Sequence, residues 1–278
     1  MRPHAYRILL SSSGRYLVLL VASVLFVVPY LLALLASLKP LNQMFSGSPF
    51  SLPHPLTWHN FVELINQYDF GHFLLNTAVV AICIAVGQVF FCALAAYAFA
   101  KMDFPGKNAL FAVFIAMLLV PGTVTIIPMF IIVKNLGLLD SLPALIIPYV
   151  ASSVFGVFLM RQFFLRIPED LVSAAKVDGA NSFQVLTKVM MPLSRPVLIT
   201  FGIMSFVYGW NNFLWPLIAT NGNGARVLTV GIATFQSSFG TDWNLMMAGG
   251  VLSLLPLVLL FLVFQRYIVS SIQLTSFR

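Results

Sequence analysis

The chain has 278 residues, 60% of them hydrophobic and only 8% charged, with a formal charge of +7 and a mean hydropathy of +0.96. Soluble folds carry about 25% charged residues, so this composition excludes a soluble globular protein and places the chain in a bilayer. The positive charge is read as a topology signal, and no nucleic-acid partner follows from it.

Six apolar runs lie at about 17–38, 76–100, 109–133, 143–160, 197–218 and 246–265. Each is near the roughly 20 residues that a helix needs to cross about 30 Å of hydrocarbon. The expected fold class is an all-α polytopic membrane protein with six transmembrane helices. Continuous runs, in place of alternation in about ten-residue segments, exclude a transmembrane β-barrel. Arg2, Arg7 and Arg15 precede the first run. That run is longer than the roughly 7–15 residues of a signal-peptide core and has no clean A-x-A cleavage site, so it is read as a retained span.

The first connecting segment, 39–75, opens on Lys39-Pro40 and carries Pro49, Pro53 and Pro55, so it begins as an extended loop. "LTWHNFVELI" then predicts a short surface helix with Thr57 as its N-cap. His54, His59 and His72 share this segment, but their spacing does not set three ligands on one face, and no metal is expected. Cys83 and Cys92 fall on the second predicted helix, roughly 13 Å apart in rise. That is too far for a disulfide, whose Cα atoms lie within about 7 Å, so both read as packing residues.

The third run contains "VPGTVTIIP", where Pro121, Gly122 and Pro128 predict a kink or break. Such a break suits either a hinge lining a pathway or an ordinary packed bend. Pro256 predicts a further kink in the last run. If both termini face the cytoplasm, the inner segments hold Arg2, Arg7, Arg15, Lys101, Lys107, Arg161, Arg166, Lys176, Lys188, Arg195, Arg266 and Arg278. The outer segments hold Lys39, Lys134 and Arg226, a ratio of twelve to three that favours this orientation.

Between the fourth and fifth runs lies the one long polar stretch assigned to the inner side, "RQFFLRIPEDLVSAAKVDGANSFQVLTKVMMPLSRP". Pro168 suits a first helical turn, and Glu169 and Asp170 suit its positive end. Leu171, Ala174, Ala175 and Asp178 follow the spacing of one helix face, and Gly179 supplies a stop. Asn181 with Gln184 resembles a capping box, and a second helix would run from about 182 to Pro192. The hairpin so formed either packs on its own bundle or docks a cytoplasmic partner.

The same stretch resembles the cytoplasmic loop of ABC importer permeases, whose pattern is E-A-A-x-x-x-G, nine residues, then I-x-L-P. Here "SAA" at 173–175, Gly179 and "VMMP" at 189–192 keep that spacing, with Ser173 in place of the motif glutamate. "IPEDLVSAAKVDGA", "LLNTAVVA", "LGLLDS", "WNNFLWPL" and "TDWNLMMAGGVLSLLPLVLLFLVFQRY" are similar to the carbohydrate-uptake branch, in particular to the second permease subunit of maltose-type importers. The C-terminal "SSIQLTSFR" departs from the branch's usual ending.

The resemblance implies a type I ABC importer permease. Residues 1–70 would hold the first helix and an outer loop, 71–266 a core of five spans with the coupling loop 161–196, and 267–278 a cytoplasmic tail. It also implies a cytoplasmic ABC ATPase dimer, a second and different permease subunit, an extracytoplasmic solute-binding protein, and residence in a bacterial or archaeal cell membrane. ATP and magnesium would be used by the ATPase, with no cofactor on this chain, because no G-x-x-x-x-G-K-[ST] phosphate loop is present. Coupling would fall to Glu169, Asp170, Ser173, Ala174, Ala175, Asp178, Gly179 and Pro192, with Asp178 and Glu169 giving polar contacts or caps.

For the pathway, Gln88, Tyr208, Asn211 and Asn212 are the candidates, with helix packing as the competing role. Trp210 and Trp215 read first as an interfacial belt, and "TDWNLMM" as a segment beneath the binding protein. The cargo class is a sugar or oligosaccharide, with glycerol phosphate or another polyol as the alternative. No acidic residue falls inside the six runs, which argues against a proton-driven carrier. Neither H-E-x-x-H nor G-x-S-x-G occurs, so an enzyme is not expected.

Overall fold

The computed structural model of the chain describes residues 12–151, 153–237 and 240–276; Arg2, Arg7 and Arg278 lie outside the described residues. Helices dominate, apart from a minimal antiparallel pair, Gln236–Ser237 with Gly240–Thr241, in the register Gln236↔Thr241. Among the described residues three helices are long and apolar enough to cross a membrane, Tyr16–Ser37, Phe70–Lys101 and Trp243–Tyr267, and the number rises to six if each of three bent helix pairs is one span. The chain divides into two units, one within Met1–Asp69 and Ile232–Leu254, the other within Phe70–Gly231 and Leu255–Arg278.

In the first unit, α1 (Ser12–Ser37) exposes apolar side chains such as Leu19 and Phe26, as a lipid-facing helix does. The carbonyls at its end have no partner within the helix and need donors from elsewhere. Asn60 Nδ2 donates to the carbonyls of Ser37 and Lys39 at 2.7 and 3.2 Å, and Asn244 Nδ2 to that of Lys39 at 2.7 Å. Lys39 itself is only 3% exposed, its ammonium donating to Ser51 Oγ at 3.1 Å and to the Pro49 carbonyl at 3.4 Å. The expected surface helix is α2 (His59–Gln67), with Trp58 and not Thr57 at the N-cap. Thr57 serves from one residue further back, its hydroxyl accepting from the His59 N–H at 3.1 Å.

The second unit is built around α3 (Phe70–Lys101). Its "CALAAYAFA" stretch buries Ala93 and Ala96 completely, and small residues let membrane helices approach closely. α3 packs on α6 (Leu142–Val150), α7 (Val154–Arg166) and α11 (Arg195–Asn211). Glycine makes these approaches closer still. A Cβ on Gly209 of α11 would lie 3.0 Å from Ala81 Cα, and one on Gly156 of α7 would lie 2.2 Å from the Phe201 ring.

The third run breaks as expected. α4 (Lys107–Ala116) and α5 (Ile126–Asn135) belong to two helical segments that meet at 94° across Pro121. The fourth run, expected whole, is split into α6 and α7, bent by 42°. Ser153 is extended, and its hydroxyl caps α7 by accepting from the Gly156 N–H at 3.1 Å.

The fifth run, expected at 197–218, is also interrupted. α11 stops at Asn211, and α12 (Leu214–Ala219) follows. A proline ring clashes with the carbonyl four residues back, and for Pro216 that carbonyl belongs to Asn212. It is turned out of the helix and accepts from Thr229 Oγ1 at 2.7 Å. Within the last helix, Trp243–Ser276, the backbone stays helical through Pro256 and past the start of the expected tail.

Gly209→Leu should therefore force α11 from α3. Overpacking costs roughly 1–3 kcal/mol, so the detergent-solubilised variant should show a lower thermal midpoint than wild type by size-exclusion recovery after heating. An unchanged midpoint would contradict the close approach.

Candidate functional site

The polar stretch folds as a helical hairpin. α8 (Glu169–Val177) starts after Pro168 with Glu169 and Asp170 in its first turn, where carboxylates suit the positive helix end. It ends at Gly179, whose φ of +85° is left-handed backbone that favours glycine. The Ala180 N–H returns to the Ala175 carbonyl at 3.0 Å, closing the turn. The expected capping box is formed. Asn181 Oδ1 accepts from the Gln184 N–H and Gln184 Oε1 from the Asn181 N–H, both at 2.9 Å.

The second arm runs as α9 (Ser182–Val185), a π-turn at Leu186–Met190 and α10 (Met191–Leu193). It passes Pro192 by one residue.

One side of the hairpin is built into the membrane unit. Val172 of α8, with Val185, Leu186 and Met190 of the second arm, joins a core formed by Ala96, Phe99, Met160 and Phe164. The sequence pattern put Ala175 on one face with Leu171, Ala174 and Asp178. Instead Ala175 turns partly into the core beside Val172, while the other three stay exposed. Steric need decides this: a fully buried valine sets the inward direction, and a residue three further on must follow it. The outward side presents Leu171 at 45% and Val177 at 87% exposure, flanked by exposed Asp170, Ser173, Ala174, Lys176 and Asp178.

Glu169 is tied to the membrane unit while its side chain stays 60% exposed. The Lys101 ammonium, at the end of α3, donates to Glu169 Oε2 and to the Ile167 carbonyl, both at 2.8 Å, and the lysine side chain is only 5% exposed. Arg161 of α7 adds a second tie, donating from Nε to the Phe99 carbonyl at 3.1 Å, with its guanidinium 4.1 Å from the centre of the Phe111 ring. Sequence reasoning missed Lys101, Arg161 and Val172 as parts of this site. The partner of Lys101 lies 68 residues away in sequence, and no local pattern encodes it.

Three of the pathway candidates, Gln88, Tyr208 and Asn212, meet at Tyr149. Gln88 is buried and its Nε2 donates to the Tyr149 carbonyl at 2.9 Å. Tyr208 is half exposed, and its ring packs edge-on against Tyr149 at 5.7 Å. These two residues line one cavity of about 340 Å³ together with Tyr149, Ser153 and Ser205. Asn211 bonds its own helix, Nδ2 to the Val207 carbonyl at 2.9 Å; Asn212 marks the break between α11 and α12 and does not line that cavity itself, but its side chain hydrogen-bonds Tyr149, which does.

The tryptophans are not an interfacial belt. Trp210 and Trp215 are 3% and 1% exposed. Trp215 Nε1 donates to the Ala144 carbonyl at 3.0 Å, the carbonyl that Pro148 excludes from the helix bond four residues on. Among the described residues no group of three or more His, Cys, Asp or Glu side chains is placed to hold a metal.

An apolar helical chain with a polar hairpin fastened to its membrane helices, and with no phosphate-binding loop of its own, has the make-up of a transporter's membrane subunit. Residues 88–274 match the family described as "Binding-protein-dependent transport system inner membrane component", and the chain belongs to that family. It is a multi-pass inner-membrane permease subunit of an ABC importer, and it is not itself an enzyme.

The chain is 33% identical over 265 residues to the sn-glycerol-3-phosphate transport system permease protein UgpE of Yersinia pestis bv. Antiqua, covering 92% of this chain and 94% of the relative. It is 34% identical over 263 residues to the diacetylchitobiose uptake system permease protein NgcG of Streptomyces coelicolor, covering 94% and 87%. Its fold is similar to a chain of a bacterial ABC transporter involved in the import of alginate, with a TM-score of 0.81 and 23% identity, covering 92% of this chain and 98% of that one.

An added Cβ at Gly179 would meet nothing within 4 Å, so a substitution there tests the backbone alone. Left-handed backbone costs a non-glycine residue roughly 1–2 kcal/mol. Gly179→Val should accelerate amide hydrogen exchange across 169–180 severalfold while leaving α3 protected, and equal protection in the two proteins would contradict the turn.

Proposed function

We propose that this subunit forms half of the translocation pathway of an ATP-driven importer and takes its drive from a separate cytoplasmic ATPase dimer through the hairpin at 168–180. The observation that carries the reading is the division of that hairpin into a face locked to the membrane unit through Val172 and Lys101, and a free face of Leu171, Ala174, Val177 and Asp178. The free face offers apolar side chains and small alanine contacts with solvated charges around them, which is the chemistry of a groove-seated helix. Ala174 gives close approach, Asp170 and Asp178 lie at the helix ends, and Pro192 belongs to the second arm. Glu169 bonds this chain's own Lys101 through one carboxylate oxygen and, with its side chain 60% exposed, stays open at the start of α8 to give a polar contact or cap. Ser173 is exposed where related permeases carry an acid, and one exposed ion pair is worth at most about 1 kcal/mol.

In this proposal six spans cross the membrane, each bent pair counting once, with both termini and the hairpin in the cytoplasm as the distribution of basic residues favours. A second permease completes the pathway, an extracytoplasmic binding protein delivers the cargo, and ATP and magnesium are handled by the ATPase. The cargo is a sugar or oligosaccharide, supported by the similarity to the diacetylchitobiose permease protein. The similarity to the glycerol-phosphate permease protein favours a polyol phosphate as the second reading.

Ala175 is partly buried in the core, so its substitution would disturb folding as well as docking. Ala174→Asp and Val177→Asp change only exposed positions. Each should leave the permease pair intact by size-exclusion chromatography and reduce copurification of the ATPase at least about tenfold. Full copurification with both variants would refute the docking role.

A further inference from the structure

The cavity lined by Gln88, Tyr149, Ser153, Ser205 and Tyr208 lies where α6 ends and α7 begins. Broken helices inside a membrane are tolerated only where the freed backbone is buried in protein or lines a wet cavity. The carboxyl end of α6 and the amino end of α7 meet here. Their partial charges have opposite sign, so the break offers both acceptor and donor character and no net field for an ion.

Part of that backbone is already satisfied. Gln88 takes the Tyr149 carbonyl, and the Ser153 hydroxyl takes the Gly156 N–H. The Ser205 hydroxyl differs. It is on a residue only 3% exposed and has no hydrogen-bond partner among the described residues, although a buried hydroxyl without a partner costs roughly 1–3 kcal/mol. Serines in helices commonly bond the carbonyl one turn back, and here that bond is not made.

The cavity walls also carry flat apolar surface, from Phe201 and from the edge-packed Tyr149 and Tyr208. None of the described residues lining the cavity is charged. A phosphate or carboxylate placed here would meet no counter-charge, and an unpaired ion at membrane depth is strongly disfavoured. At about 340 Å³ the cavity is at the lower end of the roughly 300–1,000 Å³ typical of small-molecule sites.

Resting on the pathway reading above, we propose that this cavity is a subsite for one ring of a neutral, polyhydroxylated cargo, with Ser205 and Tyr208 donating or accepting at its hydroxyls and the aromatic rings covering its apolar face. The subunit thereby contacts cargo directly and selects against the phosphate ester.

The test uses the complete importer, with its ATPase, partner permease and binding protein, in proteoliposomes. Uptake of radiolabelled diacetylchitobiose, arabinotriose and sn-glycerol-3-phosphate is measured for wild type and for Ser205→Ala and Tyr208→Phe, which each remove one hydroxyl. Loss of one neutral hydrogen bond corresponds to roughly a three- to tenfold change. A neutral saccharide should be taken up, and each variant should slow that uptake by about this factor while copurifying normally with the ATPase.

Uptake of the phosphate ester alone, uptake of neither neutral saccharide, or wild-type saccharide uptake by both variants would overturn the subsite. Failure of the wild-type chain to copurify with an ATPase would instead count against the importer reading itself, so the two are separable.

Discussion

Hydrocarbon supplies no hydrogen bonds, so every break in a membrane helix must have its loose carbonyls taken by the protein. That constraint organises the second unit. Pro148 frees the Ala144 carbonyl, and Trp215 occupies it. Pro216 turns out the Asn212 carbonyl, and Thr229 occupies it. The split between α6 and α7 frees the Tyr149 carbonyl, and Gln88 of α3 occupies it. A bundle interrupted at several prolines is thus held by a few side chains that would otherwise have no reason to be polar or to carry an N–H.

The same economy governs the hairpin. Lys101 ends α3 and closes two contacts at once, on Glu169 and on the Ile167 carbonyl. Val172 enters the core of α3 and α7. Under the proposed coupling, force applied to α8 would reach α3 through a charge-assisted bond and a buried side chain. Since interiors are close-packed and transmit strain, the proposed coupling treats α8 and α3 as one lever. The connections around Asp140 and residues 221–228 are fixed in a similar manner. Asp140 accepts from the N–H groups of Asn221 and Gly222 at 3.1 and 3.0 Å, and Thr77 Oγ1 from that of Leu228 at 2.8 Å.

Much of this was legible in the sequence. Hydropathy located the apolar runs, since burial in lipid acts on composition over about 20 residues. Pro168, Gly179 and the Asn181–Gln184 pair gave the hairpin, because caps and turns are encoded within four residues. What escaped depends on distant partners. Tryptophans in an apolar run look alike whether they face lipid or, as Trp215 does, a carbonyl 71 residues away. The break at Asn212 was readable in principle from Pro216, four residues on. The split at Ser153 was not, because Ala-Ser-Ser is compatible with a helix and the Ser153 cap on the Gly156 N–H belongs to the folded chain. The bond from Lys101 to Glu169 required knowing where α3 ends.

The central claim is that the hairpin and α3 move as a single body when the ATPase closes. Spin labels at Ile82 and Val177, both exposed, sit on the two parts, and Ile82 is roughly 28 Å along α3 from Lys101 at 1.5 Å per residue. Their separation can be measured by double electron–electron resonance in the assembled importer, with and without ATP trapped. The account predicts one narrow distance, unchanged by nucleotide, while the distance from Val177 to a label on the partner permease shifts. A nucleotide-dependent change between Ile82 and Val177 as large as that shift would contradict it.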